Sequence, residues 1–316
     1  MVIMAIERTV IGSFPRWAES LDQAIADVVQ VQLQYGIDVI TDGEQRGGMI
    51  AYFEQIPGLE RTGDKLKIAG TIEAMDDVEA FYKIRDYRTV KALLDRQGKS
   101  NVKVKITLTG PITLGISCLA TDVGSARKYY QMKDREALYA DCAAALAPIA
   151  TRALDLGAYV QLDEPGFGFT APELAKDVLN DLVSRLPSAA IDEEKVSVHV
   201  CGSLRGATLF DSLLALEVPI LSLAFSGHEE QLNIDVISRQ SLEEHNKRAG
   251  VGFISNVEVE DAKVALERLT RIAHKVGVEN IAYLHPDCGF RSTAPDKVSA
   301  ILDNMNKASG VFMQSA

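Results

Sequence analysis

Apolar residues in this chain fall into two alternating kinds of run. Short stretches rich in β-branched residues, such as Val104-Lys105-Ile106-Thr107-Leu108-Thr109, Tyr159-Val160-Gln161-Leu162 and Val196-Ser197-Val198-His199-Val200, have the length and composition of strands. Between them lie longer stretches with apolar residues every three or four positions, as at 21, 25, 28, 29 and 33, which is the helical period. Strands are predicted around positions 10, 38, 104, 160, 197, 221, 252 and 282. The helical patterns that follow them cover 21–35, 77–97, 134–156, 172–186, 206–216, a polar stretch toward 248, 260–276 and 295–305. The first strand is read as Val10-Ile11-Gly12-Ser13, and residues 58–76, Gly-, Lys- and Glu-rich without a clear period, as an excursion from the core. Mainly apolar strands, each trailed by a helix, imply a parallel sheet covered on both faces. Eight such units predict one α/β domain over 1–316, a (β/α)8 TIM barrel. The alternative is an open doubly wound sheet, but no G-x-G-x-x-G follows the first strand to support its dinucleotide site.

Composition narrows the partners. With 316 residues, 47% of them hydrophobic, the chain can fill one large core. A formal charge of −11 argues against nucleic acid or an anionic membrane as the main partner, because either needs a basic surface. Residues 1–8 hold no positively charged segment before an apolar core, and no apolar run reaches the length of a membrane span, so a cytoplasmic location is expected. Four cysteines, none in C-x-x-C spacing, do not make a disulfide framework and leave thiols available as ligands. Basic residues cluster at Lys83, Arg85, Arg88, Lys91, Arg96, Lys99 and Lys103. Their helical spacing reads as a solvated face, the alternative being a docking face for an acidic protein.

The chemistry concentrates at strand ends. His199 and Cys201 are spaced i, i+2 at the end of a strand, so their side chains leave on one face. Cys288 follows another apolar run, Ile281-Ala282-Tyr283-Leu284. If the two strands share a sheet, one imidazole and two thiolates meet, which is a zinc donor set; three protein ligands with an open position is its catalytic form. Taken singly, a buried cysteine or histidine is more often plain core. In a barrel, however, Ser13, Asp42 with Glu44, Thr109, Asp163 with Glu164, His199 with Cys201, Ser226, Asn256 and Asp287 with Cys288 all surround the mouth where such folds place their active sites.

These residues resemble the catalytic domain of the cobalamin-independent methionine synthase family. The markers are Ile11-Gly12-Ser13-Phe14-Pro15, Asp42-Gly43-Glu44, Thr109-Gly110-Pro111, Asp163-Glu164-Pro165, His199-Val200-Cys201-Gly202 and Pro286-Asp287-Cys288-Gly289, in family order across nearly the whole chain. The resemblance implies a (β/α)8 barrel with zinc on His199, Cys201 and Cys288, activating the thiol of homocysteine for methylation, with no catalytic residue beyond the zinc ligands. It implies a substrate-binding set of Ile11, Ser13, Glu44 and Asp163, Ser13 toward the carboxylate, Glu44 and Asp163 toward the ammonium. A zwitterion needs a hydrogen-bond donor at one end and anions at the other. The chain looks like the short, single-barrel core type, which implies methylcobalamin or a methylated corrinoid protein as methyl donor and that protein as a partner. Two departures stand out. Ala224 occupies the position of the family's fourth ligand, a glutamate, so either His228, Glu229 or Glu230 reaches back or water completes the site. Gly110-Pro111-Ile112-Thr113 is not followed by the tryptophan of the folate-binding members, and the one tryptophan is Trp17. Still open are a methylfolate donor, a different thiol substrate resembling coenzyme M, and a metal that merely braces the barrel.

Overall fold

A computed structural model describes residues 5–131, 135–206 and 208–315. Residues 1–4, half of the stretch 1–8 considered above, lie outside the described residues, as do Asp134 and Ala207 of two expected helices.

Eight parallel strands form the sheet: β1 (Glu7–Arg8), β2 (Val39–Ile40), β5 (Lys103–Thr109), β6 (Tyr159–Asp163), β7 (Val196–Val200), β8 (Ile220–Ala224), β9 (Arg248–Ile254) and β10 (Ile281–Pro286). Their spatial order is β1-β10-β9-β8-β7-β6-β5-β2, and a parallel bridge between Thr9 and Val39 joins the two ends into a barrel. The predicted TIM-like α/β domain is therefore what forms, with helices outside. The helix Ala262–Val276 is typical: Asp261 caps its first turn, Gly277 at φ 80° ends it, and Ala265, Leu269, Ile272 and Val276 bury one stripe. Each large aliphatic side chain so buried contributes about 1.5–3 kcal/mol.

The structure differs from the sequence reading, or adds to it, at three places. The first strand is Glu7–Arg8, so Val10 to Ser13 run beyond it, over the mouth; pairing with Tyr283 and Leu284 of β10, not apolar content, sets that register. Residues 59–68 are an antiparallel hairpin, β3 (Leu59–Thr62) and β4 (Lys65–Ile68), turned at Gly63 with φ 61°. A helix absent from the sequence reading, Pro111–Thr121, starts directly after β5. The hairpin and the segment after it are tied to the residues that follow this helix: Ser125 Oγ donates to the Ile68 carbonyl at 2.8 Å and Ile72 N to the Tyr130 hydroxyl at 2.8 Å.

The barrel interior is polar. Successive inward positions carry Lys105, Thr107 and Thr109 on β5, Gln161 and Asp163 on β6, Ser197 and His199 on β7, Ser222 on β8 and His285 on β10, all buried. Register aligns Thr109, Asp163, His199 and Ser222 in one row near the carboxyl ends. Buried polar groups persist only when bonded to one another. Lys105 Nζ donates to Gln161 Oε1 at 2.5 Å and to the Val10 carbonyl at 2.7 Å, and Gln161 Nε2 to Asp163 Oδ1 at 2.6 Å and to the Ile11 carbonyl at 3.0 Å. This column supports the mouth from below.

Candidate functional site

His199, Cys201 and Cys288 arrive from β7 and the loop after β10, and their ligand atoms all lie within 4.8 Å of one another. His199 Nδ1 sits 3.0 Å from the Ser222 carbonyl, a group that only accepts, so Nδ1 carries the proton. That leaves Nε2 as a lone pair, and it is buried without a hydrogen-bond partner. Such an atom costs about 1–3 kcal/mol unless something fills its valence. A backbone-oriented imidazole with a free nitrogen beside two sulfurs fits zinc, the metal that takes mixed nitrogen and thiolate donors. The sulfurs act as a pair: the hydrogen bond from Cys288 holds the Cys201 thiol below its ordinary value, and the same bond, with burial, pushes Cys288 up. For His199, burial opposes the charged ring, but the neighbouring Cys288 and Asp163 outweigh it and raise its pKa.

Neighbouring elements hold this corner in place. Asn233, fully buried, donates through Nδ2 to the carbonyls of Gly202 at 2.8 Å and Ala224 at 2.9 Å, while its Oδ1 accepts from Leu204 N at 2.8 Å. The loop that carries Cys201 is thus tied to the end of β8. Asp287, just before Cys288, accepts from Phe225 N at 2.9 Å and from Ser226 N and Oγ. Burial pushes its carboxyl up to about 6. His285 donates from Nδ1 to the Pro286 carbonyl and accepts from Ser222 Oγ at 2.7 Å; burial holds its pKa down at about 3, so it is a neutral strut.

Ala224 ends β8, paired with Gly252, and offers no donor atom. Of the side chains expected to compensate, Glu230 is committed to Arg268 at 2.7 Å and to Arg271, and His228 is exposed. Glu229 keeps one buried oxygen without a partner. Among the described residues no carboxylate joins the three-residue group.

Across the mouth, Ser13 lies against the loop after β10: Phe290 N donates to the Ser13 carbonyl at 2.7 Å, and any Cβ at Gly289 would collide with Ser13 Oγ. Ser13 therefore neighbours the residue next to Cys288. Ile11 is buried, with its carbonyl accepting from Gln161. Asp163 pairs in register with His199, and burial pushes its carboxyl up to about 6 against the pull of His199. Glu44 is buried at φ 54°, a left-handed conformation that costs a non-glycine residue about 1 kcal/mol or more. Its Oε1 accepts from Lys83 Nζ at 2.8 Å and Thr107 Oγ1 at 2.8 Å. Burial pushes neighbouring Asp42 up to about 6, opposed by Lys83 3.9 Å away, and leaves its Oδ2 unpartnered.

Lys83, Thr107, Gln161 and Asn233 escaped the sequence reading. Lys83 corrects it outright, being 2% exposed and turned inward, away from the solvated basic face to which its spacing assigned it. Glu164 is a cap rather than a mouth residue: its carboxylate accepts from Thr113 N at 2.6 Å and Ile112 N at 3.1 Å at the start of Pro111–Thr121, and burial pushes it up to about 7.

Residues 16–310 match the family model described as cobalamin-independent synthase, catalytic domain. The chain is 28% identical over 312 residues to a methionine synthase of Methanothermobacter marburgensis, covering 96% of this chain and 92% of that one. It is also 28% identical over 334 residues to a 5-methyltetrahydropteroyltriglutamate–homocysteine methyltransferase of Mycolicibacterium paratuberculosis, there covering 94% of this chain but 42% of the relative. Among solved structures, the B12-independent methionine synthase from Shewanella sp. W3-18-1 in complex with selenomethionine superposes with a TM-score of 0.72 at 19% identity, over 99% of each chain, a likeness of fold. No helix among the described residues is long and apolar enough to cross a membrane.

Proposed function

The chain belongs to the cobalamin-independent synthase catalytic-domain family and is a methyltransferase of the methionine synthase type; from that premise we propose that it methylates the thiol of homocysteine, with zinc held by His199, Cys201 and Cys288 and a methylated corrinoid as donor. The observation that carries the reading is the unpartnered Nε2 of His199 beside two sulfurs, in the same mouth as Asp163, Glu44 and Ser13. Zinc bound there supplies a thiolate at neutral pH from a thiol whose ordinary pKa is ~8.5.

The chain's own residues do the rest. Asp163, held by Gln161, and the free edge of Glu44 face the substrate's ammonium; Ser13 Oγ, two residues after Ile11, donates to its carboxylate. Fixing both ends of the zwitterion leaves the sulfur aimed at the metal corner, so orientation is set before the donor arrives. In the transfer, the new carbon–sulfur bond forms as the bond between methyl and donor breaks; the electron pair of that bond stays on the donor, and the thiol's proton goes to solvent. With zinc bound, Cys201 and Cys288 would be held as thiolates, and their negative charge would keep the substrate's sulfur nucleophilic.

The choice of donor rests on what faces the mouth. Pro111–Thr121 buries Ile112, Leu114, Cys118 and Leu119, with Gly115 so close to Tyr139 that a side chain would clash, and it carries no aromatic residue. Trp17 is instead stacked edge-on against Phe14, 5.9 Å between ring centres. The test is methionine formation by the zinc-loaded protein from homocysteine with methylcobalamin and with methyltetrahydrofolate, side by side. Product from methylcobalamin is expected. Product from the folate alone overturns the donor, and none from either, at full zinc occupancy, overturns the activity.

A further inference from the structure

Lys83 is an unusual residue to find in a barrel wall. It sits on the helix Tyr82–Arg96, whose other basic residues face outward, yet its ammonium is enclosed and satisfied on every side. Nζ donates to Glu44 Oε1 at 2.8 Å and to Thr107 Oγ1 at 3.1 Å, lies 3.9 Å from Asp42 Oδ1, and sits 4.1 Å over the centre of the Tyr52 ring. A buried cation needs such a cage, since an unpaired one would shed its proton. The contacts on Glu44 are one-sided. Lys83 and Thr107 both end on Oε1, and among the described residues no side-chain or backbone donor reaches Oε2, which is also absent from the enclosed, unpartnered atoms. One edge of the carboxylate is fastened and the other is presented.

We infer that Lys83 is a positioning residue for amino-acid recognition: it pins Oε1 of Glu44 so that Oε2 meets the substrate's α-ammonium, and so sets the preference for a thiol that carries an amine. The inference rests on the proposed role of Glu44. The backbone is arranged to the same end. Two successive left-handed residues, Gly43 at φ 73° and Glu44 at φ 54°, turn the side chain inward, Glu44 N donates to Asp42 Oδ1 at 3.2 Å, and Arg291 holds the Glu44 carbonyl at 3.1 Å from the opposite loop. A left-handed glutamate persists only where its surroundings fix it, and Lys83 with Thr107 fixes the far end. Without the cation, Oε1 of Glu44 keeps only the Thr107 hydroxyl, and the carboxylate is free to rotate away from the ammonium.

The experiment compares homocysteine with the same thiol acid lacking its amino group, γ-mercaptobutyrate, in zinc-loaded wild type, Lys83→Met, Glu44→Gln and the double variant, reading KM and kcat separately along with zinc content. Lys83→Met should raise the KM for homocysteine at least tenfold, leave kcat/KM for γ-mercaptobutyrate within twofold, and leave zinc unchanged. A general loss of structure would depress both thiols and the zinc together. Unchanged or sharper preference for homocysteine in a folded Lys83→Met overturns the inference. Where that variant is insoluble, the double variant, with both charges removed, decides: it should be no worse than Glu44→Gln in preference, and a further loss shows that Lys83 acts by another route. If Glu44→Gln itself leaves the preference intact, the role of Glu44 fails, whereas a Glu44→Gln effect without a Lys83→Met effect rejects Lys83 alone.

Discussion

At the amino-terminal mouth of the barrel, a cavity of 270 Å³ is lined by charges that close on one another: Lys103 meets Glu7 at 2.7 Å and Arg248 meets Glu194 at 2.6 Å. At the carboxyl-terminal mouth the charges are more deeply buried and less complete. Of the buried side-chain atoms that lack a partner among the described residues, all but the Tyr139 hydroxyl lie on strand ends or loops of this end: Trp17 Nε1, Asp42 Oδ2, Gln45 Oε1, His199 Nε2 and Glu229 Oε2. Each such atom costs about 1–3 kcal/mol, so a fold keeps them together only where a ligand can complete them. One mouth is finished by the protein itself. The other keeps buried atoms without partners, which on the proposed reading a metal and a zwitterion would complete.

The sharpest way to break this contrast is to remove a sulfur. Cys201→Ser or Cys288→Ser should lower zinc affinity by more than the roughly 10–100-fold typical of losing an outer partner, and abolish methyl transfer, as read by chelator competition and product formation. Next in size is Asp163→Asn, which on the proposed reading removes an anion facing the ammonium but no zinc ligand. A contact of that kind is worth ~1.5–3 kcal/mol, so the KM for homocysteine should rise roughly ten- to hundredfold at unchanged zinc content. Glu164→Gln is smaller and acts on stability. Because the folded carboxyl titrates at about 7, above its ordinary value of 4.5, the stability it supplies is full at low pH and lost as pH rises through 7. Melting temperatures should therefore shift in favour of the variant as pH rises from about 5 to about 8. The opposite trend would mean that the cap is best served by the charged form. Smallest is Lys103→Ala at the closed mouth: the pair is part-exposed, so it should cost under ~1 kcal/mol by denaturant unfolding and leave activity untouched.

How much of this was legible beforehand depended on what a residue touches. The barrel could be read because β5 to β10 are long, apolar-rich and each followed by a helical period. β1 could not, because two residues, Glu7 and Arg8, carry its pairing, and neither looks like a strand former. Pro111–Thr121 is buried on most sides, which erases the amphipathic period that betrays other helices. The hairpin had a usable signal, the Gly63-Asp64 turn between Leu59-Glu60-Arg61-Thr62 and Lys65-Leu66-Lys67-Ile68, hidden by its many charges. In the site, His199, Cys201 and Cys288 stood out because their side chains have few other uses in such spacing. Lys83 and Asn233 did not, since a buried lysine among basic neighbours and a buried asparagine in a polar helix are recognised only through partners 39 and 31 residues away.

The central claim is that the open mouth holds zinc through one nitrogen and two sulfurs and takes the substrate's thiol as a further sulfur. Zinc K-edge X-ray absorption on the zinc-loaded protein, with and without homocysteine, measures this directly. The account predicts two sulfurs at ~2.3 Å and nitrogen or oxygen neighbours in the free protein, becoming three sulfurs when homocysteine is added. A sulfur count that stays at two with saturating homocysteine, or that is already complete without it, would contradict the account.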